Sequence, residues 1–339
     1  MPARPPSPGL TAGLPRVSLA QLPTPLEELS RLRAALGGGC PRLLIKRDDQ
    51  TGLATGGNKT RKLEFLLGQA LAEGADALIT PGGPQSNHCR QTAAAAARHG
   101  LRCVLVLSGD PLPRHAWNGN LLLDDLLGVE VRWTQGRPRQ AVMDEAAAEL
   151  AAQGARPYLI PTGGSVPVGA AAYVAAVEEL AAQLDRQGER IDRIVLVSGS
   201  GGTHAGVLVG VKALGLDLRV EGMNNFAIED VAGKVRSLAQ ETADYLGLKL
   251  AFAPDDFHFY DAAGTHPYAT VTAAERDAIR LLARTEGILL DPVYTARAFA
   301  QMVAHIRAGA YSPGETILFW HTGGIPALFA VAGELMADG

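Results

Sequence analysis

The chain has 339 residues, of which 47% are hydrophobic and 19% are charged, a composition typical of a globular protein with a large core. Its net charge of −4 provides no basic surface for nucleic acid, and no apolar run reaches the roughly 18 residues of a membrane span, so we expect neither partner. Because the three cysteines form no C-x-x-C pair, we expect no disulfide framework, no metal site and a reducing, cytoplasmic location.

Segments typical of strands and helices alternate along the chain after a Pro- and Gly-rich tail at residues 1–15, which lacks the apolar core of a signal peptide. In chain order the patterns predict strand 41–49, helix 58–75, strand 76–83, helix 87–100, strand 101–109, helix 120–128, strand 129–134, helix 143–154, strand 156–164, helix 169–188, a strand, glycine loop and helix over 192–215, strand 218–224, helices near 228–246, 271–285 and 295–307, strand 316–324 and a helix near 325–336. Runs such as "IVLVSG" are apolar without alternation, as expected for parallel strands covered on both faces. The sequence therefore predicts an α/β fold with doubly wound parallel sheets.

Four glycine-rich or polar loops follow predicted strands, at residues 56–62, 82–88, 198–206 and 321–324. Ligands of open α/β sheets bind beyond the carboxyl ends of the strands, so these loops are predicted to face one crevice. The alternative is that each loop is only a tight turn that needs glycine for its backbone conformation. A further stretch, "PTGGSVPVG" at 161–169, is the best candidate for a crossing of the chain between two domains.

The loop at 198–206, "SGSGGTHAG", follows an apolar strand and opens a helix. Its N–H groups and the hydroxyls of Ser200 and Thr203 are therefore candidates for holding a phosphate at a helix N-terminus. The loop is not a dinucleotide fingerprint, because His204 occupies the position of the third glycine. Residues 52–60 are not a Walker A loop either, because one extra residue separates the second glycine from the lysine.

Three cations, Lys59, Arg61 and Lys62, crowd the first turn of the predicted helix that follows two glycines in "GGNKTRK". A helix N-terminus carries partial positive charge, so acidic residues are favoured there and cations are not. Either this turn is solvated, or an anionic or electrophilic group lies next to it. Because Lys59 and Lys62 are three residues apart, they lie on the same side of the first turn.

Ser86 and Asn87 begin the Ala-rich predicted helix, where they are either simple caps or part of an anion site for a carboxylate. The first turn contains no Asp or Glu, which favours the anion site. By default a lone Tyr294 in an apolar stretch is a core residue with a bonded hydroxyl, and His204 and His321 have structural roles.

Five stretches taken together resemble the D-cysteine desulfhydrase and 1-aminocyclopropane-1-carboxylate (ACC) deaminase family, and the resemblance extends over nearly the whole chain. They are "KRDDQTGLATGGNKTRKLEF", "GGPQSNHCRQTAAAAARHG", "SGSGGTHAG", "TEGILLDPVYTARA" and "HTGG". The resemblance implies a pyridoxal-phosphate (PLP) enzyme of the tryptophan-synthase-β fold, with PLP in the cleft between two α/β domains. It further implies that residues 61–165 form a small inserted domain and that residues 1–60 and 166–339 form the large one.

The resemblance also assigns roles to individual residues. It implies that Lys59 forms the Schiff base with PLP and that Lys62 contacts the phosphate. A neighbouring cation and the positive helix end both lower the pKa of a lysine, which Lys59 needs in order to act as a nucleophile. The other implied site residues are Asn87 at the phenolic oxygen of PLP, Ser86 at the substrate carboxylate, Gly199, Ser200, Gly201, Gly202 and Thr203 at the phosphate, and the active-site tyrosines Tyr294 and Tyr268.

One position separates the subfamilies. In ACC deaminases a Glu follows the tyrosine of the DPVY motif and meets the pyridine nitrogen, whereas here the residue is Thr295. A carboxylate stabilises a protonated ring, which is a strong electron sink, and a hydroxyl tolerates a neutral ring, which is a weaker one. A β-elimination needs less from the ring, because a good leaving group departs from Cβ. Thr295 therefore resembles the desulfhydrase branch.

The leading prediction is a PLP-dependent lyase that converts a small amino acid into pyruvate and ammonia, with D-cysteine as the first substrate and hydrogen sulfide as its second product. An L-cysteate sulfo-lyase is the first alternative, and an ACC deaminase is the second. A nucleotide-binding α/β protein and a PLP-binding protein without turnover are the alternatives from other classes. We also expect the chain to form a homodimer.

Overall fold

The computed structural model describes residues 9–224, 230–261 and 270–337, and the alternation of strands and helices is confirmed within them. The strands are β1 (Leu26–Glu28), β2 (Arg42–Arg47), β3 (Ala77–Gly82), β4 (Arg102–Leu107), β5 (Glu130–Trp133), β6 (Pro157–Leu159), β7 (Arg193–Ser198), β8 (Arg219–Asn224), β9 (His258–Asp261) and β10 (Thr316–His321). The helices are α1 (Ser30–Leu36), α2 (Asn58–Ala72), α3 (Asn87–Arg98), α4 (Gly119–Leu126), α5 (Arg139–Ala152), α6 (Pro167–Gln187), α7 (Gly202–Ala213), α8 (Val231–Tyr245), α9 (Ala273–Glu286), α10 (Thr295–Arg307), α11 (Pro326–Ala330) and α12 (Ala332–Met336).

The strands form two sheets. The first has the order β1-β2-β10-β7-β8-β9, in which only β1 runs antiparallel to its neighbour among the described strands. The second has the order β5-β4-β3-β6 and is entirely parallel. The predicted doubly wound α/β class is therefore confirmed.

The details differ from the sequence prediction in four places. The short elements β1, α1 and β9 were not predicted, because segments of three to seven residues carry no clear hydrophobic period. The single helix expected near 325–336 is two short helices, which meet at Val331. The inserted unit predicted at 61–165 contains every strand of the second sheet, and its exact boundaries stay a prediction.

The six-stranded sheet is buried on both faces, which explains the uninterrupted apolar runs. On β10, Leu318 and Trp320 point into a core shared with α6, α7 and α8. The alternate residues Ile317 and Phe319 point into a second core with α1, α9 and α10. Because both sets of side chains are covered, the strand needs no polar face.

Helix α3 is buried over most of its length, from His88 to Ala96. The alanines at 93–96 are all 4% exposed or less, and the helix packs against α2, α4, β3 and β4. Methyl side chains allow these neighbours to approach the helix closely. The Ala-rich sequence therefore brings the start of α3, at Asn87, close to the rest of the fold.

Arg61, the middle cation of the first turn of α2, lies in a buried ion-pair network. Its Nε and Nη2 donate to the two carboxylate oxygens of Asp48, at 3.0 and 2.9 Å, and its Nη1 donates to Glu179 at 3.0 Å. Tyr173 donates to Asp48 at 2.7 Å, and Lys46 pairs with Glu179. The presence of Arg61 in the first turn of α2 is therefore explained by its ion pairs inside the protein, without a ligand.

We predict that Arg61→Met destabilises the fold strongly, because it leaves the Asp48 and Glu179 carboxylates buried without their main partner. Removing one partner of a buried ion pair costs about 3–5 kcal/mol. Urea unfolding would measure this as a lower transition midpoint. The matched control is Arg114→Met, which breaks the exposed Arg114–Asp125 pair and should leave the midpoint nearly unchanged. Equal shifts in the two variants would contradict the structural role of Arg61.

Candidate active site

A cavity of about 610 Å³ lies at the carboxyl ends of β3, β7 and β10, next to the starts of α2 and α3. All four predicted loops contribute residues to its wall, so the prediction that they face one crevice is confirmed. Eight of the predicted site residues line this cavity: Lys59, Ser86, Asn87, Gly199, Ser200, Gly201, Thr203 and Tyr294. A volume of this size is typical of small-molecule sites.

The other four predicted residues are placed differently. Lys62 and Gly202 lie next to each other behind the wall formed by the 199–203 loop. Thr295 is fully buried beneath Tyr294 at the start of α10. Tyr268 lies outside the described residues.

Lys59 is half-buried, and its Nζ donates to Asn58 Oδ1 at 3.0 Å. The Asn58 amide in turn donates to Thr203 Oγ1 at 3.0 Å, so Asn58 connects the lysine with the glycine loop. Burial lowers the pKa of Lys59 to about 8, and the Arg90 cation adds to this lowering while the Asp291 carboxylate opposes it. The amine is therefore neutral in a useful fraction of molecules near neutral pH.

Lys62 is buried at the first turn of α2, where its Nζ donates to the carbonyl oxygen of Gly163 at 3.1 Å. Burial holds the pKa of Lys62 well below its usual value, and Lys59 lowers it further. At Gly202, where α7 begins, an added Cβ would lie 2.7 Å from Lys62 Nζ and 2.7 Å from Ser165 Oγ, so a larger residue would displace these two side chains. Within the described residues Lys62 has no anionic partner, and a lysine of this kind next to a helix N-terminus is suited to a phosphate.

Ser86 caps α3, because its Oγ accepts a hydrogen bond from the Cys89 N–H at 3.2 Å. The capping interpretation is therefore correct, and the same side chain also lines the cavity. Asn87 follows it as the first residue of the helix, and the first turn of α3 contains no acidic residue. The positive end of α3 thus faces the cavity without an internal counter-charge.

The Thr295 side chain does not cap α10, although Thr is a common residue at helix N-termini. The start of the helix is capped by Asp291, whose carboxylate accepts from the N–H groups of Val293, Tyr294 and Thr295. The Thr295 hydroxyl donates to Asp291 Oδ1 at 2.7 Å. Burial raises the pKa of Asp291, against the lowering by these donors. The hydroxyl is therefore engaged by Asp291, and its contact with a ring nitrogen stays a prediction.

Several cavity residues were missed by the sequence analysis. Thr162 and Gly163 belong to the 161–169 stretch, which was interpreted only as a chain crossing, although it is also a Gly- and Pro-rich loop after a strand. His88 is 3% exposed, and neither of its ring nitrogens has a hydrogen-bond partner in the described parts of the chain. Burial, with Lys59 and Lys62 adding to it, holds the pKa of His88 well below its usual value. The other wall residues that were not predicted include Ser108 and Arg139, whereas Thr322 and Gly323 belong to the predicted 321–324 loop.

The two loop histidines make contacts of the structural kind expected for them. His204 Nδ1 lies 3.1 Å from Ser198 Oγ, and His321 Nε2 lies 3.0 Å from the carbonyl oxygen of Leu289. Residues 9–224, 230–261 and 270–337 include no group of three His, Cys, Asp or Glu side chains placed to hold a metal ion. In the same ranges, none of the helices combines the length and the hydropathy of a membrane span.

Comparisons with known proteins agree on the family. A family model described as "Pyridoxal-phosphate dependent enzyme" matches residues 17–323. A D-cysteine desulfhydrase of Klebsiella pneumoniae (strain 342) is 45% identical over 321 residues, covering 93% of this chain and 96% of the relative. A D-cysteine desulfhydrase of Salmonella schwarzengrund (strain CVM19633) is 44% identical with the same coverage. The chain belongs to the pyridoxal-phosphate dependent enzyme family, and its cofactor is PLP.

Solved structures give the same result. A structure described as an ACC deaminase homologue is 40% identical, with a TM-score of 0.87, and the match covers 96% of this chain and 97% of that one. An O-ureido-L-serine synthase, which is 18% identical with a TM-score of 0.64, shares the fold. The predicted resemblance and fold class are therefore confirmed, and the family match sets aside the nucleotide-binding alternative.

The cavity residues fit PLP chemically. A half-buried amine with a lowered pKa, Lys59, suits an aldehyde. The helix start at Gly202 and the buried Lys62 suit a phosphate monoester. The unpartnered ring nitrogens of His88 are polar atoms that a ligand in this cavity would satisfy.

We predict that, in cofactor-free protein, acetylation of Lys59 follows an apparent pKa of about 8. Arg90→Met should raise this pKa, because a cation is removed, and Asp291→Asn should lower it, because a carboxylate is removed. Labelling with acetic anhydride across pH, read by peptide mass spectrometry, measures both shifts, with the exposed Lys249 as internal labelling standard. Shifts of the same sign in the two variants would refute this account of the pKa.

Proposed function

We propose that the chain is a carbon–sulfur lyase that converts D-cysteine and water into pyruvate, ammonia and hydrogen sulfide. The observation that carries the proposal is that three features share one cavity. They are Lys59, an amine of lowered pKa, the glycine loop at 199–203 that is predicted to bind phosphate, and the start of α3, whose first turn has no acidic residue. The identity of 45% and 44% to two D-cysteine desulfhydrases over nearly their full length supports this choice of substrate.

The proposal divides the cavity into three functions. Lys59 holds the cofactor covalently, and Lys62 with residues 199–203 binds its phosphate. Ser86 and the N–H groups at the start of α3 bind the substrate carboxylate, because a helix N-terminus attracts anions. Tyr294, and Tyr268 by family resemblance, complete the catalytic set, and Thr295 and Asn87 contact the ring.

Bound PLP supplies the electron sink that allows a bond at the substrate Cα to break. The protein supplies the proton acceptor: Lys59 Nζ would take the proton from Cα of the substrate. Its lowered pKa keeps part of the amine neutral at working pH, so that it is able to act as a base. Loss of the sulfur group from Cβ and hydrolysis then give pyruvate and ammonia.

The surroundings of Thr295 favour β-elimination over ACC deamination. No carboxylate occupies position 295, and the neighbouring Asp291 is directed at three N–H groups and the Thr295 hydroxyl. A ring at this place therefore meets a hydroxyl residue and a carboxylate that already has four donors. Such a site is poorer at keeping a ring nitrogen protonated than one with a free Glu.

A sulfonated substrate is the second candidate, and one observation favours it. Arg139 lines the cavity and is exposed, and its Nε donates to Ser108 Oγ at 2.6 Å. Ser108 also belongs to the cavity wall. A guanidinium in this place suits a sulfonate on the substrate Cβ, as in L-cysteate, because it offers several donors to an anionic group.

The homodimer and the cytoplasmic location are part of the proposal as well. Leu122 and Leu126 on α4 are 42% and 72% exposed, Phe329 on the adjoining α11 is 69% exposed, and an exposed apolar patch of this kind supports self-association. Light scattering should give twice the chain mass of 35.5 kDa, and the mass of a single chain would exclude the dimer. The three free, buried cysteines support a reducing compartment.

The function is tested with a substrate panel on the purified holoprotein. We expect pyruvate from D-cysteine and from β-chloro-D-alanine, since both carry a leaving group on Cβ, and no oxo acid from ACC. If L-cysteate is a substrate, Arg139→Gln should reduce its kcat/KM at least about tenfold through loss of a charge-assisted contact and leave D-cysteine unaffected. The control is Arg137→Gln, two residues away, which is exposed, pairs with Glu145 and does not line the cavity.

Two outcomes would overturn the proposal. Faster turnover of ACC than of D-cysteine would make the chain an ACC deaminase despite Thr295. A coloured protein that is inactive on every panel member would be a PLP-binding protein without turnover.

We predict that borohydride reduction of the holoprotein fixes the cofactor on Lys59, which peptide mapping would locate. Lys62→Ala should weaken PLP binding by roughly 1.5–3 kcal/mol, the value of one charge-assisted contact, as measured by titration. Lys212→Ala is the control, because Lys212 pairs with Asp256 away from the cavity. An adduct on Lys62 or Lys46, or an unchanged affinity in Lys62→Ala, would refute these assignments.

A further inference from the structure

The carboxamide of Asn87 is held in one orientation by two buried side chains. Its Oδ1 accepts from Arg90 Nη1 at 2.9 Å and from Asn120 Nδ2 at 3.0 Å. Both donors are 0% exposed. Because two donors meet the same oxygen, the oxygen side of the amide is directed away from the cavity and the Nδ2 side toward it.

Arg90 prevents the Asn87 amide from turning over, because the reversed amide would point its Nδ2 at a guanidinium, which has only donors. Burial lowers the pKa of Arg90 to about 10, with Asp124 and Asp291 opposing the shift, so the side chain remains a cation at neutral pH. It also donates to the carbonyl oxygen of Gly56 at 2.7 Å. This contact fixes the guanidinium to the loop that precedes Lys59.

The orientation of Asn120 is fixed independently. Its Nδ2 donates to the backbone carbonyl of Gln85 at 3.0 Å, and its own N–H donates to Gln85 Oε1 at 2.8 Å. Its Oδ1 accepts from Arg90. A backbone carbonyl can only accept, so the Asn120 amide cannot turn over, and it presents a donor to Asn87.

The other side of the Asn87 amide is open. An added Cβ at Gly324 would lie 2.7 Å from Asn87 Nδ2, and the φ of +119° at Gly324 further restricts this position to glycine. No acceptor for Nδ2 is present in the described parts of the chain, and Asn87 lines the cavity. Two N–H bonds are therefore available there to a ligand oxygen.

We infer that Arg90 and Asn120 are positioning residues, which force Asn87 to present an N–H donor to the cavity and so select an anionic oxygen on the cofactor ring. The inference deepens the proposed function, since it rests on Asn87 contacting the cofactor. Neither residue touches the cavity itself, and both act through the Asn87 amide.

The test compares Asn120→Asp, Asn87→Ala and the double variant, all as holoproteins. An aspartate has nearly the shape of asparagine but no N–H to donate, so Asn87 Oδ1 loses one of its two donors and the amide is held in its orientation by Arg90 alone. We expect Asn120→Asp to weaken PLP affinity about 3- to 10-fold, the effect of one hydrogen bond, and to shift the pH midpoint of the visible absorbance of the cofactor. In the Asn87→Ala background the same substitution should change neither quantity.

The outcomes separate this inference from the proposed function. Wild-type affinity and absorbance in Asn87→Ala would show that Asn87 does not contact the cofactor, so the site assignment itself would fail. A response to Asn87→Ala but none to Asn120→Asp would overturn the positioning inference alone. Equal effects of Asn120→Asp with and without Asn87 would also overturn it, because the role would then be structural.

If Asn120→Asp does not fold, Arg90→Lys replaces it. A single ammonium cannot reach Asn87, Asn120 and the Gly56 carbonyl together, so a lower affinity and a shifted absorbance midpoint are expected. The absence of both effects would overturn the inference.

Discussion

The ion pairs of Arg61 with Asp48 and Glu179 fix how helix α2 faces the rest of the molecule. They hold the first turn of the helix from one side, inside the core. Lys59 and Lys62, three residues apart, consequently face the other way, toward the cavity and the Gly163 carbonyl. A buried ion pair adds less to stability than its Coulomb energy suggests, and in some proteins its role is to specify one arrangement over others. Here the arrangement that it specifies is the placement of the two lysines.

Several polar side chains around the cavity are held by other protein groups. Arg90 and Asn120 hold the oxygen of the Asn87 amide, and its nitrogen remains available to a ligand. Asn58 joins Lys59 with Thr203, and Asp291 binds both the N–H group and the hydroxyl of Thr295 at the start of α10. In such a site the ligand meets groups that are already oriented, so little reorganisation accompanies binding.

Much of this could be predicted from local sequence. The apolar runs gave β2, β3, β4 and β7, and the glycine loops that follow strands gave the cavity, because both depend on neighbouring residues alone. The partners of the site residues could not be predicted in the same way. Asn120 reaches Asn87 from 33 residues away. Asp291 accepts a hydrogen bond from the Thr295 hydroxyl, which the sequence suggested as a contact for the ligand. Such contacts depend on how α4 packs on α3 and on how the chain turns into α10, which no periodicity encodes.

The alanines at 93–96 connect the interior of the second sheet with the cavity. Their methyl groups allow β3, β4, α2 and α4 to lie close to α3, and the same helix begins at Asn87. Since protein interiors are close-packed, a larger side chain at any of these positions displaces the helix and carries its first turn along. Evolutionary drift in this run, which contacts no ligand, is therefore a route by which descendants of this protein acquire altered substrate preferences without any change in the residues that line the site.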